Sequence, residues 1–370
     1  MDQKPIILPF YVKLGCVLII LIALGYLAIL GKEVLSPLLF SFLFAILLLP
    51  LSNFFENKLH WPRSAAAIVS VILFLSAASF VIYLIGVQVT KLGTEWPLLK
   101  AQVANLFHNL QLWLQSTFHV NMQKQAAYIN DITQKGLSSS ATLIEQTVLS
   151  LSGIFLLMIF ILIYTCFLLI YRRLLMRFIV TAFTEKYTSI IYDIAEQIKH
   201  IIRKYITGLF LEMCIVTIIA CTIFALLDIK YVFLLAMLIG ILNLIPYVGM
   251  FTSLLIGAGI TFATSDGKHA LYVVLTIIGI HLFDSNFLMP KIVGSQVKLN
   301  PLIVILGVVI GESIWGIPGM FLAIPYLAIA KVIFDRVPSL QAWGILLGEE
   351  EHTPKKVKSL IRKVKNKEQR

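Results

Sequence analysis

Glu212, Asp284, Glu312 and, more weakly, His281 are titratable residues set in stretches that are otherwise strongly apolar. An ionisable group in such surroundings is expensive to hold, so a role in carrying a proton, binding a cation or holding a solute is the first expectation for it. A carboxyl group suits that chemistry because a low dielectric disfavours its charged form. The amides of Asn243 and Asn286 and the phenol of Tyr247 add hydrogen-bonding groups suited to a small polar organic molecule. Glu312 stands shortly before Gly316, and Asn243 shortly before Pro246, so each lies close to a backbone breaker and the two could face one cavity. Trp315 and Tyr247 flank the same breaks, where each can plug a site or touch its solute. Each residue also has a purely structural reading: a lone acid can stay neutral and bond a neighbouring helix, and Asn commonly joins helices in lipid.

The elements that must position these residues are membrane helices. Of 370 residues, 59% are hydrophobic and 13% charged, where a soluble domain carries about 25% charged residues. That composition excludes a soluble enzyme and a disordered chain. No Asp, Glu, Lys or Arg occurs in 14–31, 34–55, 64–90, 146–171 or 231–265, and about 20 apolar residues suffice for a helix to cross a bilayer. Full spans are expected at about 14–31, 34–51, 64–87, 148–171 and 206–227, with another apolar segment around Asp284. The first is read as a retained span, not a cleaved signal peptide. Cys16, Cys166, Cys214 and Cys221 all lie in apolar runs and read as small hydrophobes, without a redox or metal pattern.

Between the third and fourth spans lies an insert of mixed charge. In it Trp96, Leu99, Val103, Leu106, Leu110 and Trp113 recur at helical spacing, giving one apolar seam. After the fourth span come Arg172, Arg173, Arg177, Lys186, Lys199, Arg203 and Lys204, in a segment whose Tyr187, Ile191, Ile194, Ile198, Ile201 and Tyr205 also repeat at helical spacing. The tail from Arg336 holds nine Lys or Arg and reads as solvated or bound to anionic lipid. The net charge of +11 is therefore read through the positive-inside rule and not as a nucleic-acid surface. Both termini are then cytoplasmic and the insert extracytoplasmic. The expected division is 1–89 with three spans, 90–147 the insert, 148–171 a span, 172–205 a cytoplasmic amphipathic linker helix, 206–334 a transport core and 335–370 a basic cytoplasmic tail.

Two segments are broken. Residues 231–265 are interrupted by Pro246-Tyr247-Val248-Gly249, and 302–330 by Gly316-Ile317-Pro318-Gly319 with Pro325 beyond. As a straight helix the first would be about 52 Å long, while each half, at about 22 Å, is too short to cross alone. Each segment is either one kinked span, giving eight transmembrane helices, or a re-entrant hairpin. Lys291 and Lys298, without an acid between them, favour a cytoplasmic loop. The expected fold is therefore an all-α polytopic membrane protein with about six full transmembrane helices, two re-entrant hairpins and an extracytoplasmic helical insert. Hairpins of opposite direction suggest an inverted pair with a site between their tips.

NLIPYVGMF (243–251) resembles the Pro-Tyr-x-Gly signature of the autoinducer-2 exporter superfamily of bacterial permease-like proteins. Residues 284–325 resemble its second signature, with Asn286, Pro290, Gly294, Pro301, Gly311, Gly316, Gly319 and Pro325 in order. The resemblance implies export of the quorum-sensing furanone autoinducer-2 or, as for other members, sodium or lithium–proton antiport. It also implies the bacterial inner membrane, re-entrant hairpins and a homo-oligomer, with a pentamer as the expected number. The sequence departs from the pattern after Gly208, where a polar amide is expected and Leu209 and Glu212 stand instead.

The leading expectation is a secondary transporter of a small solute of autoinducer-2 type, working by alternating access. Its binding set is Asn243, Pro246, Tyr247, Gly249, Asp284, Asn286, Glu312, Trp315, Gly316 and Gly319, with Glu212 as an additional candidate. The alternatives are a Na+(Li+)/H+ antiporter using an intramembrane carboxylate, and a membrane scaffold. A membrane enzyme is disfavoured: the chain has no His-Glu-x-x-His, Gly-x-Ser-x-Gly or phosphate-binding glycine loop. No cofactor, metal or nucleic acid is expected; the partners are the solute or cation, membrane lipid and further copies of the chain.

Overall fold

The computed structural model describes residues 9–94, 140–245, 248–289, 291–292 and 299–349. Most of the 90–147 insert, Pro246 and Tyr247, Pro290, most of the Lys291–Lys298 loop with its Gly294, and the tail beyond 349 lie outside the described residues. All regular elements among the described residues are helical. Lipid offers backbone amides no partner, so each apolar segment bonds within itself.

In chain order the helices are α1 (Phe10–Leu30), α2 (Lys32–Lys58), α3 (Arg63–Thr94), α4 (Ser140–Ala182), α5 (Thr188–Leu226), α6 (Val232–Leu242), α7 (Val248–Thr264), α8 (Gly267–Phe283), α9 (Pro301–Trp315), α10 (Ile317–Arg336) and the short α11 (Gln341–Leu347). Among the described residues, Lys32–Lys58, Arg63–Gly93, Phe155–Ala182, Thr188–Leu226, Gly267–Leu288 and Ile317–Arg336 are the 6 segments long and apolar enough to cross a membrane. The Gly15–Leu30 part of α1, α6, α7 and α9 are shorter apolar helices. The chain thus has the all-α polytopic architecture that its composition dictates.

Local chemistry sets the breaks. Pro246 lacks the amide hydrogen that would prolong α6 and disfavours helical backbone at Ile245. The last turn of α6 therefore closes with short bonds from Leu244 N–H to Ile241 O and from Ile245 N–H to Leu242 O, 3.1 and 2.9 Å. The second break falls at Gly316, whose φ of +68° suits glycine and few other residues. One expectation needs correction: the halves of this segment are unequal. α9 has 15 residues but α10 has 20, so α10 is long enough to cross by itself at ~1.5 Å per residue. Pro325 is accommodated inside α10 and does not end it.

The chain forms two compact units. The first comprises Met1–Leu47, Phe167–Arg203 and Val297–Arg370. In it α9 folds back along α10, with Gly311 and Gly319 backbone to backbone; a Cβ on either would collide with the other's carbonyl. Phe40 stacks on Phe321 with centroids 5.6 Å apart, and the Tyr326 hydroxyl donates to Leu39 O at 2.9 Å. Arg336, ending α10, pairs with Asp193 on α5. The second unit comprises Leu48–Cys166 and Lys204–Gln296. Its core joins Val216, Ala220 and Phe224 of α5, Leu235, Ala236 and Ile239 of α6, and Val273, Ile277 and Ile280 of α8. Lipid removes most of the hydrophobic drive for helix association, so tight packing holds such a core together.

Candidate functional site

Three buried stripes of the second unit end in polar residues. On α5 the stripe Phe224, Ala220, Val216 continues one turn back to Glu212. On α8 the stripe Ala270, Val273, Ile277, Ile280 continues one turn on to Asp284. On α6 the stripe Leu235, Ile239 leads to Asn243, which caps the helix. The same helical periodicity that builds the core therefore turns both acids inward, 5% and 4% exposed respectively.

The three side chains meet. The Asn243 amide nitrogen donates to Glu212 Oε1 at 3.1 Å and to Asp284 Oδ2 at 3.2 Å. Gly240 makes this reach possible, because α6 runs so close to α5 there that a Cβ would strike the Thr217 hydroxyl and crowd the Met213 carbonyl. Asp284 opens a π-helical turn, Asp284–Leu288, in which Met289 N–H bonds back to Asp284 O. One further residue per turn re-aims side chains, and such turns favour functional positions. The outer oxygens, Glu212 Oε2 and Asp284 Oδ1, are buried and find no hydrogen-bond donor among the described residues. No Lys, Arg or His bonds either acid among those residues. Two carboxylates sharing one amide in apolar surroundings repel strongly. A proton shared by the pair, or a bound cation, relieves that repulsion.

A small pocket opens beside Asn243. Its polar lining is Asn243, Ser253 and His281, set among Val216, Ile239 and Ile277. Ser253 is buried on α7, and the His281 Nε2 lies 3.5 Å from Ser285 Oγ. As it stands the pocket is mostly aliphatic and has room for about one water molecule, so a larger solute needs these helices to move apart. Among the described residues no group of three or more His, Cys, Asp or Glu is placed to hold a metal ion.

Asn243, Asp284 and Glu212 are thus brought together from the expected set. Gly249 is buried beside them, with its Cα so close to the Leu242 carbonyl that a Cβ would collide; it lets the chain fold from α6 into α7. Asn286 is turned away: it is exposed, and its amide donates to Leu282 O of its own helix at 2.7 Å. Pro246 and Tyr247 lie outside the described residues. Glu312, Trp315, Gly316 and Gly319 belong to the first unit. There Glu312 is exposed on α9, and the Trp315 indole N–H donates to Ala28 O at 2.9 Å. Ala28 is in the last turn of α1, where carbonyls lack helical partners, so Trp315 works as a structural anchor. The sequence reading passed over Ser253. Its signal was the run Gly249, Ser253, Gly257, Thr261, small residues one turn apart along α7, all of which are buried.

The AI-2E family transporter profile matches residues 18–339. YrrI of Bacillus subtilis (strain 168), named as a transport protein, is 25% identical over 358 residues, which cover 90% of this chain and 97% of YrrI. TqsA of Escherichia coli (strain K12), named as an AI-2 transport protein, is 24% identical over 359 residues, covering 94% and 98%. PerM of the same strain, named as a permease, is 31% identical over 141 residues, covering 38% and 40%.

Proposed function

The chain belongs to the AI-2E transporter family, and is therefore a multi-pass membrane transport protein and not an enzyme; from this premise we propose that it is a proton-coupled secondary transporter of a small polar organic solute of autoinducer-2 type. The observation that carries the reading is the single amide of Asn243 bridging two buried acids on different helices. While the acids share a proton, α5, α6 and α8 are held together at this point. Loss of the proton leaves two anions around one amide, and their repulsion drives these helices toward another arrangement. Asn243 also lines the pocket, so solute binding and proton release act on one side chain, and each biases the other. The name of TqsA supports the AI-2-type solute. In the same proposal the two broken segments are re-entrant, the termini are cytoplasmic and the protein assembles as a homo-oligomer.

A second reading has its own observation. Glu212 Oε2 and Asp284 Oδ1, buried without donors, are ligands suited to a sodium or lithium ion exchanged for a proton. One experiment separates the readings. Purified protein in proteoliposomes is given a pH step with solute inside, or a sodium or lithium pulse with a pH dye inside. Solute efflux that follows the pH step, and falls about tenfold, or ~1.4 kcal/mol of barrier, in Asp284→Asn and Glu212→Gln, supports the first reading. A cation-driven pH change lost in both variants supports the second. Flux with an unaltered pH profile in both variants removes the acid pair from coupling.

A further inference from the structure

The Asn243 amide has two N–H groups and one carbonyl oxygen to offer. Its nitrogen is committed to Glu212 Oε1 at 3.1 Å and to Asp284 Oδ2 at 3.2 Å. An ionised carboxylate only accepts, so the nitrogen must face the acids and Oδ1 must face away from them. Oδ1 is therefore the part of Asn243 left for the pocket that this residue lines.

Ser253, on α7, lines the same pocket and is 2% exposed. Thr252 and Thr264 of that helix donate their hydroxyls one turn back, to Val248 O at 2.9 Å and Ile260 O at 2.8 Å. Ser253 does not follow them. Its hydroxyl has no hydrogen-bond partner among the described residues. A buried hydroxyl without a partner is costly, and a group entering the pocket would supply one. His281, half-buried on α8, adds an imidazole to the lining, and the rest is aliphatic side chain and Met250. The space between these groups admits about one water molecule. One hydroxyl group has the same size and the same ability to give one hydrogen and accept another.

We propose that Asn243, Ser253 and His281 form a hydroxyl-binding subsite, in which one alcohol group of the transported solute takes the place of a water molecule. The inference rests on the reading of the chain as a transporter of a small polar solute, and names the group by which that solute is held. The solute O–H donates to Asn243 Oδ1, and its oxygen accepts from the Ser253 hydroxyl. The remainder of the solute enters as the helices around the pocket move apart. An ether or ketone oxygen has no hydrogen to give and leaves Oδ1 buried without a partner, so such an analogue is rejected. A carboxylate fails twice, because its charge also meets the neighbouring acids. Ser253 determines the specificity, since its hydroxyl is committed to nothing else.

The test uses the full chain with Cys16, Cys166, Cys214 and Cys221 replaced by serine. Met250→Cys, in the pocket lining, reports occupancy through its rate of reaction with methyl methanethiosulfonate. The probes are anhydroerythritol, a neutral cyclic diol, and its dimethyl ether. The diol should protect the thiol at about tenfold lower concentration than the ether. Ser253→Ala, in the same background, should abolish that preference. Equal protection by the two probes, protection by neither, or a preference that survives Ser253→Ala overturns the subsite. If the reporter variant fails to fold, the unfolding midpoint of the parent protein in detergent replaces it. A rise with the diol and none with the ether supports the subsite, and equal shifts overturn it. Proton coupling is read separately, by anhydroerythritol efflux from proteoliposomes after a pH step. Efflux that ignores the step, in protein that prefers the diol, would sink proton coupling and leave the subsite standing.

Discussion

Asn243 donates to two acids that are 31 and 41 residues away in sequence. Its loss therefore differs from the loss of an ordinary polar side chain. Asn243→Ala would leave Glu212 Oε1 and Asp284 Oδ2 buried without a donor, beside two oxygens that already lack one. Such a deletion costs about 1–3 kcal/mol per abandoned buried group. Thermal unfolding in detergent should show a clearly lower midpoint for Asn243→Ala. Asn243→Gln, which keeps the amide on a longer arm, should recover part of it. An unchanged midpoint for Asn243→Ala would mean that the amide does not hold the acids together. The individual residues were legible in the sequence because an acid in an apolar run stands out. Their meeting was not, because it depends on three helices converging, and on Gly240 letting two of them touch. Glu212 was underrated for that reason, although its spacing from Val216, Ala220 and Phe224 already places it on the buried stripe.

Glycines act differently in the elements that fold back on themselves. Gly316 has open space around the position of a Cβ, so its requirement is conformational: φ is +68°. Gly319 has ordinary helical backbone but lies against Gly311, where a Cβ would meet backbone atoms that cannot yield. Gly316→Ala should therefore cost about 1–3 kcal/mol in backbone strain while leaving the helix pair packed. Gly319→Ala should cost more, since overpacking against a neighbouring backbone typically costs about 1–3 kcal/mol or above. The order of the two unfolding midpoints checks this. Gly316→Ala as the more damaging change would mean that the turn, and not the close approach, limits stability. The sequence showed both breaks because proline and glycine interrupt long apolar runs. It misjudged the length of α10 because the apolar run ends before Lys331, whereas the helix continues through Lys331 to Arg336, with Pro325 inside it. Inside a membrane protein a proline is tolerated where neighbouring groups satisfy the freed carbonyl.

At the scale of the whole molecule, about six long apolar helices were legible from composition, because about 20 apolar residues is a fixed requirement of the bilayer, but the set differs: Gly15–Leu30 is among the shorter helices and Ile317–Arg336 among the long ones. Topology does not follow so directly, and here the first unit supplies an argument. Asn300, before α9, bonds to Leu347, beyond α10. The start of α9 therefore meets α11, which packs against the end of α10, although α9 has 15 residues and α10 has 20. A segment whose two ends lie together at one face of a bilayer returns the chain to the side it came from. This supports the re-entrant reading without reference to the charge of the preceding loop. It predicts that Ser295→Cys and Gln369→Cys, introduced separately into cysteine-free protein, react with a membrane-impermeant maleimide from the same side. In sealed right-side-out and inverted vesicles the two positions should give matching patterns. Labelling from opposite sides would mean that α9 and α10 together cross the membrane, and the inverted-pair plan would fall with it. Matching labels confined to inverted vesicles would also place the basic tail in the cytoplasm, as the positive-inside rule requires.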